Sequence, residues 1–338
     1  MSPSTLTASG LSLARNLAGR RFPHAEDADA LEEAREEIVD ALEASPEGGR
    51  WKVYDLQEIS AVELTHFVER GLMTPRFAYG SGPGRDFAVW EEGEASLEIN
   101  GDSHVRLLGF RVGDHLSELW TLLSVLDDRL ELMTPWAFDT YWGYVASHPE
   151  QAGSGLRAYV TLQVPALAAT GRLPGVVFEF FGSGVGLVPL WGGAGGVIQV
   201  SNLGCRGISE METLGLVEEV ANNIVEKEQS VRKMLFRSDP TQVKDHVGRA
   251  LGMGQHAWNV SFIEAVNVIS AVEVGLDLGL VEVPGMDECT PFTLIQELQP
   301  AYVIVAHMGG NLRNMEDPEI DTIRAGVLRK VFAGAYVR

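Results

Sequence analysis

Three short stretches carry residue types able to do chemistry together. Asn100-Gly101-Asp102-Ser103-His104-Val105-Arg106 sets a carboxylate, an imidazole and a guanidinium two residues apart. In a strand, that period of two directs Asp102, His104 and Arg106 to one face, a set able to bind and orient a charged ligand. Asn, Gly, Asp and Ser are equally ordinary turn formers, and a solvated turn is the competing reading. His148-Pro149-Glu150-Gln151-Ala152-Gly153-Ser154-Gly155-Leu156-Arg157 is a polar loop feeding a strand. His148 reads either as an acid/base or as a plain loop residue, since no serine or cysteine nucleophile is evident with it.

The third stretch is Gly182-Ser183-Gly184-Val185-Gly186 with Gly192-Gly193-Ala194-Gly195-Gly196. Backbone N–H groups of such loops can cradle phosphate. No Gly-Lys-Ser/Thr follows, however, and no dinucleotide spacing is present, so a mobile surface loop is the simpler expectation. His24, His66, His115, His246, His256 and His307 sit in ordinary contexts, and Cys205 and Cys289 show no zinc spacing. No metal site is expected.

The elements that must position these residues follow from periodicity. An acidic helix is expected over Asp29–Ala44, with Leu31, Ala34, Ile38 and Leu42 at helical spacing, ended by Pro46 and Gly48-Gly49. A second helix starts after Ser60, where Ser60…Glu63 has capping-box form. Residues 87–90, 95–100 and 104–110, separated by Glu92-Gly93 and Gly101-Asp102, predict an antiparallel meander. A long amphipathic helix spans Asp114 to about Leu130, and strands follow at Leu156–Gln163, Val176–Phe181 and Val197–Ser201. From Ser209 onward the pattern is helical, with capping boxes at Ser209…Glu212 and Ser261…Glu264. Asp239-Pro240 and Thr290-Pro291 are N-cap plus first-turn proline. The fold class is therefore α+β: residues 1–236 form an antiparallel sheet flanked by helices, and residues 237–338 a C-terminal helical domain.

With 26 Lys+Arg against 47 Asp+Glu, the net charge is −21. That argues against nucleic acid or an anionic membrane as partner, because both require a positive field. No apolar run approaches the ~20 residues of a membrane span, and the Ser/Thr-rich start lacks the pattern of a secretory signal. A cytoplasmic location is expected, consistent with only two cysteines.

Leu11-Ser12-Leu13-Ala14-Arg15-Asn16-Leu17-Ala18-Gly19 through Phe22-Pro23 resembles the opening of the bacterial protein-arginine kinases, a branch of the phosphagen (ATP:guanidino) kinases. These typically begin Ser-Arg-Ile-Arg-Leu-Ala-Arg-Asn. The Asn100–Arg106 string resembles their Asn-Glu-Glu-Asp-His-Leu-Arg motif. Gly143-Tyr144 and His148–Arg157 are similar to Gly-Tyr-Leu-Thr, the Cys-Pro-Thr-Asn-x-Gly-Thr signature and its downstream arginine. Val200-Ser201-Asn202 is similar to Ile-Ser-Asn. Glu297–Ala301 and Ile320-Asp321-Thr322-Ile323-Arg324-Ala325 resemble the family's C-terminal domain. The Arg-Asp-x-x-Arg-Ala motif there contributes to a phosphoarginine-sensing pocket.

The resemblance implies a phosphagen-kinase-like catalytic domain, ATP and Mg²⁺ if the chain is active, and a homodimer through the C-terminal helices. It assigns His104, Arg106 and Arg157 to the nucleotide, Asp102 and His148 to degenerate catalytic positions, and Asp321 and Arg324 to phosphoarginine sensing. Gly10 and Ser12 stand where the family has arginines, Phe178 stands for a third arginine, Ser183 for the catalytic glutamate, and His148 for the reactive cysteine. Phosphoryl transfer depends on clamped and neutralised phosphates, and one lost charge-stabilising donor costs about 10²–10³ in rate. The expectation is a pseudokinase that binds an active arginine kinase, an adaptor, a protease chaperone or an arginine-phosphorylated protein. The alternative is an active phosphotransferase with a rearranged clamp, in which Arg206 or Arg172 replaces a missing arginine.

Overall fold

Strand β1 (Leu6–Arg15) is buried at every position, which only an interior strand covered on both faces permits. It lies in an eight-stranded sheet of a computed structural model describing residues 5–45, 48–91, 93–286, 289–308 and 316–338. Pro46 and Glu92, expected at a helix end and a turn, lie outside the described residues, as do residues 1–4.

Helix α1 (Ala28–Ala44) follows, with Asp27 Oδ1 capping Ala30 N–H at 3.0 Å. Strand β2 (Trp51–Asp55), α2 (Ala61–Glu69), α3 (Pro75–Ala78), β3 (Asp86–Trp90), β4 (Ala95–Ile99), β5 (Val105–Val112) and α4 (Leu116–Met133) come next. β6 (Phe138–Asp139) and β7 (Gly143–Tyr144) form a small hairpin before β8 (Leu156–Gln163). Then come α5 (Pro165–Ala169), α6 (Leu173–Glu179), β9 (Val185–Pro189), β10 (Val197–Asn202), α7 (Glu210–Ser238), α8 (Pro240–His256) and α9 (Phe262–Asp277). The chain finishes with β11 (Val281–Glu282), α10 (Pro291–Glu297), α11 (Pro300–Met308), α12 (Asp317–Val331) and β12 (Tyr336–Val337), of which β11 and β12 pair antiparallel.

The large sheet has the order β2-β3-β4-β5-β1-β8-β10-β9, and β2 to β5 form an antiparallel meander. The chain divides into two compact units. One comprises residues 9–159 and 201–218; the other comprises residues 1–8, 160–200 and 219–338, and so contains the C-terminal helices. The first has a core cluster of Phe67, Leu72, Met73, Phe77, Phe87 and Val89. In the second, Val247, Val266, Ile269, Val272, Leu328 and Phe332 lie at the centre of a larger cluster.

Two expectations are corrected. Val176–Phe181 is not a strand: Leu173–Glu179 is helical, with Pro174 in its first turn. The β-branched and aromatic composition favoured a strand, but only Val176 is buried while Val177, Phe178 and Phe181 face out. The glycine stretch is not a free loop either. It contains β9, and Gly195 is docked on α9, its N–H donating to Asn267 Oδ1 (2.7 Å) and its carbonyl accepting from Ser270 Oγ (2.9 Å). Gly195 has φ +60°, and a Cβ there would overlap Ser270, so glycine is required on two counts.

Candidate active-site cleft

The antiparallel register of β4 and β5 turns about Gly101–Ser103 and places Glu98 directly opposite Arg106. Such cross-strand partners share a face, and here the face lines a cleft of about 670 Å³ that also contains Asp102, His148, Arg76, Asn100 and Glu26. Arg106 Nε lies 3.6 Å from Glu98 Oε2, and Arg106 Nη2 lies 3.9 Å from Asp102 Oδ2. Asp102 is further held by Arg76 Nε at 3.0 Å, and His148 Nε2 stands 3.8 Å from it. The arginine expected to face a nucleotide is therefore flanked by two carboxylates of its own chain.

Asp102, Arg106 and His148 thus converge, and His104 does not join them. Its ring is fully buried, with Leu17 N–H directed at Nδ1 from 3.4 Å, and burial lowers its pKa to about 4, leaving it neutral. Asn16 Oδ1 accepts from His104 N–H at 3.1 Å, so these two residues of separate motifs tie β1 to the turn before β5. Two buried acceptors of the cleft, Glu26 Oε2 and Asn100 Oδ1, have no hydrogen-bond partner among the described residues.

Glu98 was missed by sequence reasoning, although a lone carboxylate in the apolar strand Ala95–Ile99, just before the turn, signals it. Its pKa is pushed up to about 7 by burial, against the pull of Thr74 N–H (2.6 Å) and Arg106. Because the folded-state pKa is raised above the unfolded value of about 4.3, stability falls as pH rises from about 4.5 to 7 and levels off above that. Glu98→Gln is expected to flatten the stability–pH profile in this window, measured by urea unfolding at fixed pH values. An unchanged slope refutes the assignment.

Arg157, on β8, is exposed, and its Nη2 lies 3.4 Å from Ser201 Oγ. Asn202 Oδ1 accepts from Ala158 N–H (2.8 Å) and Asn202 Nδ2 donates to Leu156 O (2.9 Å), fastening β10 beside Arg157. Two residues on and on the same face, Tyr159 lays its ring over Gly10 of β1. A Cβ at position 10 would overlap ring atoms of Tyr159. Burial pushes the Tyr159 phenol up to about 12, against the pull of Arg157, so the ring stays neutral. Ser12 is buried.

Phe178 and Ser183, expected in place of an arginine and a glutamate, bring no charge. Phe178 is 78% exposed, and Ser183 Oγ donates to Phe180 O (2.7 Å) within its own turn. Of the substitute arginines, Arg206 stacks over the Trp142 ring at 4.3 Å, and Arg172, in the other unit, lies 3.5 Å from Met234 Sδ. Arg15 is structural: it grips Asp127 in bidentate fashion (2.6–3.1 Å) and donates to Ser154 O (2.9 Å), anchoring the end of the His148 loop.

Asp321 and Arg324 are paired, with Asp321 partly exposed and Arg324 in the core. Arg324 is 1% exposed and donates to Leu298 O (2.8 Å) and Val260 O (2.9 Å). Among the described residues no group of three or more His, Cys, Asp or Glu is arranged to hold a metal ion, and no helix is long and apolar enough to cross a membrane.

The fold and this cleft define a class. Lombricine kinase is similar in structure, with a TM-score of 0.59 and 16% identity over 67% of this chain and 66% of that one. The duplicated taurocyamine kinase from Schistosoma mansoni is similar with a TM-score of 0.60 and 18% identity over 77% of this chain and 38% of that one. Residues 33–231 match the ATP:guanido phosphotransferase C-terminal catalytic domain. Residues 240–336 match the protein-arginine kinase McsB C-terminal domain. The protein-arginine kinase of Moorella thermoacetica is 31% identical over 96% of this chain and 93% of its own length. That of Halothermothrix orenii is 30% identical over 81% and 79%. The chain belongs to the protein-arginine kinase family.

Proposed function

We propose that this chain is a pseudokinase of the family: it keeps the fold, carries out ATP-dependent arginine phosphorylation very weakly or not at all, and acts by binding. The observation that carries this reading is the Tyr159 ring over Gly10, where an arginine side chain cannot be accommodated without moving the ring. Asp102 beside Arg106 supports it, because this carboxylate, joined by Glu98 once that group ionises, offsets the guanidinium that would otherwise face phosphate charge. A triphosphate with Mg²⁺ does not fit a site in which Arg76 and Arg106 already face carboxylates.

The bound species is a protein: an active arginine kinase, an adaptor, a protease chaperone or an arginine-phosphorylated protein. Glu26 Oε2 and Asn100 Oδ1, which accept no hydrogen bond among the described residues, suit a donor-rich side chain such as arginine in the cleft. Phosphoarginine sensing through Asp321 and Arg324 is the weaker form of the reading, since Arg324 is spent on two carbonyls. A homodimer in the cytoplasm is the proposed state.

The test is incubation with Mg²⁺-ATP and an arginine-rich protein, followed by assay of acid-labile phosphate. The expected result is transfer at least about 10³-fold below that of an active family member, matching the loss of more than one charge-stabilising donor. Robust transfer that disappears in Arg157→Ala establishes instead an active phosphotransferase with a rearranged clamp, the reading favoured by the exposure of Arg157.

A further inference from the structure

One basic site lies away from this cleft. The turn between α5 and α6 and the last three turns of α7 enclose a groove of about 620 Å³ lined by Arg172, Ser230, Val231, Lys233, Met234, Arg237 and Ser238. Three cations and two hydroxyls line it, and no carboxylate does, in a chain of net charge −21. Among the described residues Arg172 Nη2 lies 3.5 Å from the Met234 thioether, and none of Arg172, Lys233 and Arg237 is in an ion pair, although Glu179 lines the adjoining groove with Arg172.

Lys233 and Arg237 stand four apart on one helix, a like-charge pair that is unfavourable by itself. The negative end of the α7 dipole offsets Arg237 in the last turn. It does not account for Arg172, which comes from a different element to the same groove. Through Arg172, Ser230 and Val231 the groove continues into a second one of about 430 Å³. There Lys227 is already paired with Glu179.

We propose that this groove binds a small anion bearing two or three linked phosphoryl groups. Arg172 meets such an anion from one side and Lys233 and Arg237 from the other, while Ser230 donates a hydroxyl. A dispersed pair of phosphoryl charges matches two cations about one helical turn apart and a third from a separate element better than a single monoanion does. Val231 is buried beneath the groove, and Met234 lines it from a partly exposed position. The inference is independent of whether the family's transfer reaction survives, because none of these residues lies in the cleft.

The test is isothermal titration of the full chain with pyrophosphate, tripolyphosphate and ADP, with citrate as a control anion of comparable charge. Expected is saturable binding of pyrophosphate and tripolyphosphate that weakens at least tenfold in Arg172→Ala and further in Lys233→Ala/Arg237→Ala, since one charged hydrogen bond is worth about that factor. All three side chains are at the surface, so an unchanged melting temperature is expected to show that the variants fold. ADP binding tighter than pyrophosphate assigns the phosphates to a nucleotide; equal or weaker binding assigns them to a free oligophosphate. No binding at millimolar anion overturns the proposal, as does citrate binding equally well. Affinity unchanged in Arg172→Ala/Lys233→Ala/Arg237→Ala but abolished in Arg157→Ala also overturns it and places the anion in the cleft.

Discussion

Replacing Arg232 by alanine lowers the free energy of unfolding by about 3–5 kcal/mol, read as a drop in the urea midpoint. The Arg232 guanidinium is completely buried among charged and polar groups from three elements. Its Nε donates to Glu228 Oε1 (2.7 Å), while Nη1 and Nη2 reach the two Glu273 oxygens (3.0 and 3.1 Å). Asp277 Oδ2 lies at 3.4 Å, and Gln163 O accepts at the same distance. Glu228 in turn accepts from Ala166 N–H (3.0 Å) and Leu167 N–H (2.8 Å), capping α5. Alanine leaves two buried carboxylates with no positive partner, and the cost is that of their uncompensated burial rather than of the missing attraction.

The deficit depends on pH with a definite sign. Burial pushes the Glu273 carboxyl up to about 7 although Arg232 pulls it down; without the guanidinium it rises further. A raised carboxyl pKa costs stability as pH increases toward it, so the gap between variant and wild type widens above about pH 7 and narrows at pH 6. Arg232→Met combined with Glu228→Gln and Glu273→Leu is expected to recover most of the loss, because the charges then leave together. A single Arg232→Ala costing under 1 kcal/mol at pH 8 contradicts the predicted role of the guanidinium.

The second large effect concerns Gly10. Gly10→Arg alone destabilises the chain by about 1–3 kcal/mol, the usual cost of overpacking, because the new Cβ meets the Tyr159 ring. Gly10→Arg/Tyr159→Ser removes the obstruction, recovers the stability and sets a second guanidinium near Arg157. Mg²⁺-ATP affinity in the double variant is expected to exceed that of wild type by at least about tenfold, the worth of one charged hydrogen bond, measured by titration calorimetry. If Gly10→Arg by itself gains nucleotide affinity without losing stability, the ring is no barrier and the pseudokinase reading loses its main support.

Much of the architecture was legible because it is local. The capping boxes at Ser60/Glu63, Ser209/Glu212 and Ser261/Glu264 all form, as do the Asp239 and Thr290 caps before proline. Each depends on groups three residues apart, which sequence displays directly. The Gly101-Asp102 turn likewise specified the β4–β5 register, and with it the meeting of Asp102 and Arg106. Residues 176–181 were misread because composition outweighed period: a helix burying a single valine leaves little apolar periodicity to detect.

His104 marks the boundary between the two kinds of knowledge. Alternation correctly places it two residues from both Asp102 and Arg106, yet its ring is enclosed against Asn16 and Leu17. Its surroundings come from residues 87 or 88 positions away in sequence.

By itself, then, the sequence determined the class: the turns, the caps, the order of most strands and helices, and the motifs that resemble the family's, with Gly10, Ser12 and Phe178 expected where those motifs have arginines. Only the tertiary structure decided what surrounds these positions. That Tyr159 covers Gly10, that Glu98 stands against Arg106 and that Arg232 holds two buried glutamates together each depends on partners brought side by side by strand register or helix packing. A period of two or of 3.6 names the face on which a side chain stands. Which distant residue faces it is settled by the close packing of the whole chain.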